Sequence, residues 1–462
     1  MKPFLYRHPK LLNFAKQQRQ AFTDLSSALG KHHKVNIGAM PQWIIDEACI
    51  IHNQIDPSVN PAHLKYQQVS ENHVPLTRIA KHYWRLVELC GPVPEYLILV
   101  PWLTRGGADL VTLNYCKALD SLGKKVVVIS TLNEDSPWAE ELPENVRFVE
   151  LGKECARLCM EEQAFVLARL LVQMQPRVVH NINSALAYYT FVSYGKTISN
   201  FSKLYSQVFC IDVDESGSYA GYPVTYLPDC FEHLTALISE NRTVLDTLKA
   251  LYGFSEEKLF VNYQPISFDA TPIAQEEIRN KAARDGIHVL WCNRIDRQKR
   301  PDVLLRVIEK CEALPFTFHI YGGALLDKDN YSKKLRKMNN VVFHGPYNGF
   351  YSLPFENFDV MLYTSQWDGI PTILFESMAI GLPIVASDVG GISEIIKDND
   401  TGFLIDPFDD ADKYVDALMK IHSDKNDLER IISNAIKFIS TRHTQEIFIE
   451  DIKALPDYYI EM

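Results

Sequence analysis

The chain changes its hydrophobic period twice within one short stretch. YLILV, Tyr96–Val100, is apolar at every position, the pattern of a strand buried on both faces. After Gly106 and Gly107 the apolar positions move to a helical period through Leu110, Leu113, Cys116 and Leu119, and a second apolar strand at 125–130 closes the unit. The same grammar returns with a strand at 288–292, a basic loop, a helix opening at Pro301 and a strand at 317–321. Proline suits a first helical turn, where its missing N–H costs nothing. Both segments are βαβ units, and each is followed by further alternation of strands and helices, which predicts two Rossmann-like, doubly wound domains in tandem.

The expected organisation is an N-terminal extension (1–94), mostly helical by pattern; a first Rossmann-like domain (95–265); a second (266–435); and a terminal helical segment (436–462) that packs back on the first. The boundary is placed near NYQPISFDATP (262–272), where prolines and polar residues replace periodic pattern.

In parallel sheets ligands bind outside the carboxyl ends of the strands, so the loops there are the ones to read. FDVMLYTS (358–365) reads as a strand, QWDGI as the loop that follows and Pro371 as the start of a helix; PIVAS (383–387) is the next strand and DVGG its loop. The helix PTILFESMAIG is apolar around its whole circumference yet contains Glu376, and Gly381 fits the position just past its end. A buried carboxylate is expensive unless paired, so Glu376 needs a partner, either a bound ribose or a neighbouring Arg or Lys. Asp368 before the helix reads as a cap, and DGIP tightens the loop so that backbone amides face an incoming oxygen anion. NRIDRQKRP gathers Arg294, Arg297, Lys299 and Arg300 at another strand end, as a local anion site or as a solvated basic loop; Arg294 and Lys299 are placed to reach a diphosphate. Gly106 and Gly107 allow close backbone approach to a ligand.

Composition narrows the partners. With 462 residues, 47% hydrophobic and 23% charged, the chain exceeds one core and is globular. A formal net charge of -11 argues against nucleic acid as the main partner, so any anion site must be local. Nine cysteines without metal-ligand spacing read as reduced thiols. No apolar run is long enough to span a bilayer and the start lacks a signal-peptide core, so a cytoplasmic location is expected. That start is basic, with Lys2, Arg7, Lys10, Lys16, Arg19, Lys31 and Lys34 against Asp24; it could touch the inner face of an anionic membrane, or pack as a solvated arm on its own protein.

Together, Arg294 and Lys299, Asp368 and Glu376, and the segment GLPIVASDVGG resemble the family 4 glycosyltransferases, retaining enzymes of the GT-B fold, in which two Rossmann-like domains face a central cleft. The likeness runs from Tyr96 onward and is strongest over 289–407. Asp368 stands where that family usually has glutamate. The resemblance implies a nucleotide diphosphate sugar as donor, held by Gly106, Gly107, Arg294, Lys299, Asp368, Gly369, Ile370, Pro371, Thr372 and Glu376. Arg294 and Lys299 would hold the diphosphate, Glu376 the ribose and Asp368 the donor sugar. His180, in PRVVHNINSALAYY, stands near where the family often carries a histidine beside the transferred sugar; here it reads as a strand-end residue of 177–180, in the site or structural. No metal or other cofactor is required. The implied activity is transfer to a glycan or lipid-linked acceptor hydroxyl in cell-surface glycan or polysaccharide synthesis. A catalytically silent GT-B partner subunit, a nucleotide-sugar epimerase and a phosphorylase are the rivals. Asp212, Asp214 and Glu215 in FCIDVDESG have the look of an Asp-x-Asp metal motif, but in a two-Rossmann chain they are read as acceptor-facing or structural. His233 and His344 are read as structural.

Overall fold

The structure, a computed structural model, describes residues 35–40, 42–55, 57–64, 68–71, 78–266, 286–323 and 331–461. The basic residues from Lys2 to Lys34, and with them the membrane-surface expectation, lie outside this set, as do residues 267–272 of the expected boundary.

The chain divides into two compact units, 1–85 and 86–462. In the first, strands β1 (Val35–Ala39) and β2 (Gln68–Glu71) form an antiparallel pair, and helices cover Gln42–Gln54 and Pro61–Leu64. The region is helical as its pattern predicts; the strand pair is an addition, too short to stand out from the surrounding sequence.

The second unit contains two parallel sheets. The first is built from β3 (Tyr96–Val100), β4 (Val126–Ser130), β5 (Arg147–Glu150), β6 (Val178–Ile182) and β7 (Lys203–Val208). After a small antiparallel hairpin of β8 (Asp212–Val213) and β9 (Tyr219–Ala220), β10 (Ala236–Ser239) and β11 (Leu259–Val261) complete it. Its order is β11-β10-β7-β6-β3-β4-β5. The second consists of β12 (Ile287–Cys292), β13 (Phe316–Tyr321), β14 (Val341–Gly345), β15 (Val360–Tyr363), β16 (Ile384–Ser387) and β17 (Phe403–Ile405), in the order β14-β13-β12-β15-β16-β17. Each sheet grows outward first on one side of its opening strand and then on the other. The strand order therefore reverses between β3 and β6 and between β12 and β15, the points at which a doubly wound sheet opens a crevice beyond its strand ends.

The predicted punctuation is where the chain turns. Pro301 is the first residue of the helix Pro301–Lys310. Gly381, at φ 79°, closes the helix Thr372–Ile380 in the left-handed conformation that a side chain would resist. The central strands are buried on both faces, as continuous apolar runs require; β3, β4, β6 and β15 contain no exposed residue.

The chain leaves the first lobe after β11 and returns near His443. Ile266 N–H donates to the His443 carbonyl (2.9 Å), and His443 Nδ1 donates to the Gln264 carbonyl (2.7 Å), so the two crossing segments are tied together. Beyond the return, Phe448 and Ile452 of the helix Gln445–Ala454, with Leu455 and Tyr458, join the core under β3, β4 and β6. The lobes also meet through Glu394. Its carboxylate accepts the amides of Arg242 (3.0 Å) and Thr243 (2.9 Å), which open the helix Arg242–Tyr252, together with the hydroxyls of Thr243 (2.8 Å) and Tyr263 (3.1 Å). A carboxylate at a helix N-terminus satisfies orphan amides and complements the helix dipole. Among the described residues no helix is long and apolar enough to cross a membrane.

Candidate active site

A cavity of about 210 Å³ opens between the carboxyl ends of the two sheets. From the first lobe it is lined by Gly107, Ala108 and Val111 of the helix Gly107–Ser121, by Phe209 after β7, Glu240 after β10, and Gln264. From the second it is lined by Asp368, Gly369, Ile370, Pro371 and Thr372, the loop after β15 and the start of the helix Thr372–Ile380. Both helices point their N-termini into this space, and neither has a side-chain cap. Uncapped first-turn amides and the positive end of the dipole make each an anion seat.

Close approach of the loops depends on glycine. A Cβ on Gly369 would lie 2.2 Å from Glu240 Oε1 and 2.6 Å from the Phe209 carbonyl oxygen; one on Gly391 would lie 2.5 Å from Asn241 Cβ. Gly390, at φ 56°, would place a Cβ 1.8 Å from the Asp368 carbonyl oxygen, so the DVGG loop packs directly on the DGIP loop, with Gly391 N–H donating to the Gly369 carbonyl (3.2 Å). Gly107, by contrast, would meet nothing within 4 Å, because its Cβ direction is open; Gly106 lies against Asp109, whose Oδ2 would be 2.8 Å from a Cβ there.

The charged residues concentrate on the second lobe. Lys299, only 9% exposed, places Nζ 2.5 Å from Asp368 Oδ2 and 2.5 Å from the Tyr363 hydroxyl. The same Asp368 oxygen accepts from Tyr363 (2.6 Å) and from Ser365 Oγ (3.0 Å). Lys299 and Asp368 are thus an ion pair anchored to the end of β15, with one of the three Lys299 N–H groups beyond these two acceptors. Arg294 is more exposed; its Nη2 donates to Gln298 Oε1 (2.8 Å), its Nε lies 3.3 Å from Asp296, and its charge is felt at both Tyr363 and Asp212. Glu376 is buried in its helix; burial raises the pKa of Cys292 at the end of β12 and of Tyr347, and the Glu376 charge adds to both rises. Arg297 turns away from the cavity, lying over the Trp367 ring and donating to the carbonyls of Val213 and Asp214 in the opposite lobe. Arg300 pairs with Asp302 and its side chain is occupied there.

Sequence reasoning missed Glu240. It follows β10 directly, is buried, and accepts through Oε1 from Ile370 N–H (3.5 Å) and Asn241 Nδ2 (3.4 Å), while Oε2 has no hydrogen-bond partner among the described residues. Burial pushes its carboxyl up to about 8, with the Asp368 charge adding to the rise. The strand-end rule applied to TALISEN would have found it, but a glutamate just before an asparagine helix cap reads as ordinary helix-start acidity. Asp109, in the first turn of the Gly107 helix, is likewise raised by burial, to about 7, with Thr104 hydrogen-bonded to it.

His180 is elsewhere. The strand expected to end at His180 continues to Ile182, so His180 lies inside the sheet. It is fully buried beneath Tyr115, Tyr205 and Tyr458, with Nδ1 3.0 Å from the Tyr458 hydroxyl, and burial holds it neutral, down to about 3. It does not line the cavity. The physical cause is the returning C-terminal segment, which lays Tyr458 over this face. Of the acidic trio, Asp214 caps its own turn through Ser216 and Ser218, while Asp212 accepts from Trp367 Nε1 (3.1 Å) across the cleft. Among the described residues no three His, Cys, Asp or Glu side chains are grouped to hold a metal.

This architecture is that of the GT-B fold. An Anabaena protein, Alr3699/HepE, solved in complex with UDP and glucose, superposes over 78% of this chain and 98% of its own with a TM-score of 0.61 at 17% identity. Residues 274–438 match the family described as glycosyl transferases group 1. The chain is also 32% identical over 175 residues to an uncharacterised 41.2 kDa protein in the cps region of Klebsiella pneumoniae (36% of this chain, 46% of that protein). It is 32% identical over 152 residues to the O-antigen biosynthesis glycosyltransferase WbnH of Escherichia coli (33% and 42%). The matched part of the chain spans less than half the length of either relative. The second lobe thus resembles a group 1 glycosyltransferase domain, in line with the resemblance to family 4 that Arg294, Lys299 and Glu376 suggest, and the neighbouring structures share the GT-B fold.

Proposed function

We propose that the protein is a retaining glycosyltransferase that moves a sugar from a nucleoside diphosphate sugar to an acceptor hydroxyl. The observation that carries this reading is the cavity in which two uncapped helix N-termini, one from each lobe, face each other beside Lys299. Breaking the sugar–phosphate bond leaves negative charge on the departing diphosphate and positive character on the sugar. Fixed amides and cations aimed at the diphosphate stabilise that charge as it develops, without reorganisation. Lys299 would exchange its bond to Asp368 for a phosphate oxygen, and Arg294 would reach the same group as a planar fork. In this reading the chain's own groups carry the charge, with no obligate metal. Glu376 would take the ribose hydroxyls, and the released Asp368 would turn to the transferred sugar. The UDP-bound state of Anabaena Alr3699/HepE favours a nucleotide in the cleft. The O-antigen biosynthesis named for WbnH favours a glycan or lipid-linked acceptor in surface polysaccharide synthesis.

The test is a thermal-shift screen against UDP, GDP, ADP, CMP and dTDP with EDTA present. At a ligand concentration a hundred times its Kd, binding to the native state contributes about 2.7 kcal/mol, a shift of several degrees. At least one nucleotide should produce it. A flat response to all five would remove this reading and leave a silent GT-B subunit.

A further inference from the structure

We propose that Glu240 is a substrate-contacting residue of the cleft, whose carboxylic acid donates a hydrogen bond through Oε2 to a hydroxyl of the sugar being transferred. The inference rests on the reading of the cavity as a nucleotide-sugar site and deepens it by assigning the side that reads the sugar.

The geometry carries it. Glu240 lines the cavity and is 5% exposed. Oε1 is committed to the Ile370 amide of the opposite lobe and to Asn241, which leaves Oε2 as the atom without a partner among the described residues. Gly369 allows the opposing loop to lie against this carboxyl, since a Cβ there would be 2.2 Å from Oε1. A buried polar atom left without a partner costs free energy that a ligand can recover.

The protonation state selects the ligand group. The groups facing Glu240 are Asp368 and the Ile370 amide from the loop after β15, the Asn241 amide, the Cys210 thiol after β7 and the Tyr115 hydroxyl of the Gly107 helix. None is a cation; the amides that donate to Oε1 favour the ionised form, but burial outweighs them. Its carboxyl, pushed up to about 8, holds its proton at neutral pH, and with Oε1 accepting two donors the proton belongs on Oε2. A protonated carboxyl that donates beside the uncharged amide of Gln264, another cavity-lining group, suits a polyol. The diphosphate has better seats at the two helix N-termini and Lys299, which leaves the sugar for Glu240. Such a contact also makes binding sensitive to high pH: as Glu240 ionises it loses its donor and places a second negative charge beside Asp368 and the diphosphate.

The experiment compares wild type, Glu240→Ala and Glu240→Gln by calorimetric titration at pH 7 and pH 9. The ligands are UDP, GDP, ADP and dTDP, each alone and as its glucose and N-acetylglucosamine conjugates. Glutamine keeps the shape, the acceptor and a donor but cannot titrate. Glu240→Ala should weaken the sugar conjugates about tenfold while leaving the bare diphosphate within about twofold. Glu240→Gln should bind conjugates like wild type at pH 7 and should lack the wild-type loss at pH 9. Equal weakening of conjugate and bare diphosphate, or a Glu240→Ala protein that binds every conjugate as wild type does, overturns the assignment. A Gln variant as weak as the Ala variant also overturns it, since it would mean that the ionised carboxylate is what binds. A wild type that binds none of the bare diphosphates overturns the nucleotide-sugar reading itself, and this inference with it.

Discussion

The carboxyl ends of the two sheets face the same cavity with different chemistry. On the second lobe the polar groups are ions held in place: Asp368 in the cavity wall, bonded to Lys299, which also bonds Tyr363, with Arg294 and the buried Glu376 outside the lining. On the first lobe they are uncharged or held uncharged: helix amides at Gly107 and Ala108, the Gln264 amide, and Glu240, whose proton is retained by burial. A cleft built this way divides its labour. The ionic edge suits a diphosphate, whose charge must be met by charge, and the neutral edge suits hydroxyls, which need donors and acceptors without net charge.

The strongest way to break this comparison is to remove the cation from the ionic edge. Lys299→Met keeps the aliphatic stem but takes away the charge that in the proposed reaction would meet the leaving diphosphate, and turnover should fall by about 10²–10³, the usual cost of losing one such electrostatic donor. Turnover within a few-fold of wild type would mean that the ion pair with Asp368 is structural.

The two edges must also meet. Gly369→Ala drives a methyl group toward Glu240 Oε1 and the Phe209 carbonyl, both under 3 Å from it. The lobes can relieve this only by separating, so stability should drop by about 1–3 kcal/mol, with a matching fall in turnover. An unchanged melting temperature would show that the lobes do not pack as closely in solution.

His180 sharpens the contrast by standing outside it. Its folded value is depressed from 6.5 to about 3, so its contribution to stability is present above about pH 6.5 and is lost as the pH falls toward 3. His180→Phe should leave turnover within about twofold and flatten that acid loss in urea unfolding. It should cost no more than about 3 kcal/mol at pH 7, through the Tyr458 hydroxyl left without its partner. A collapse of turnover with the fold intact would return His180 to the mechanism.

The ionic edge was legible in the sequence because its residues come in two short runs, 294–299 and 368–376, each at a strand end marked by a change of period and a proline. Of the neutral edge only Gly107 was, because Phe209, Glu240 and Gln264 arrive singly from three separate segments, and only the sheet order brings them together. His180 was misplaced for a related reason. The polar pair His180–Asn181 looks like the end of a strand, yet β6 runs on to Ile182, and the group that buries His180 is Tyr458, 278 residues away along the chain. Lys299 and Asp368 could be picked out as candidate site residues through the resemblance to family 4; that each is the other's partner could not, because the pair closes across the switch point between β12 and β15.

The most direct test of the central claim is to fill the cavity without removing any polar group. A Gly107 side chain would enter open space, so Gly107→Trp should fold with the wild-type melting temperature while occupying much of the roughly 210 Å³ between the lobes. Titrated with the nucleoside diphosphate that stabilises wild type, this variant should show no binding. Wild-type affinity in the filled variant would place the nucleotide elsewhere and contradict the account.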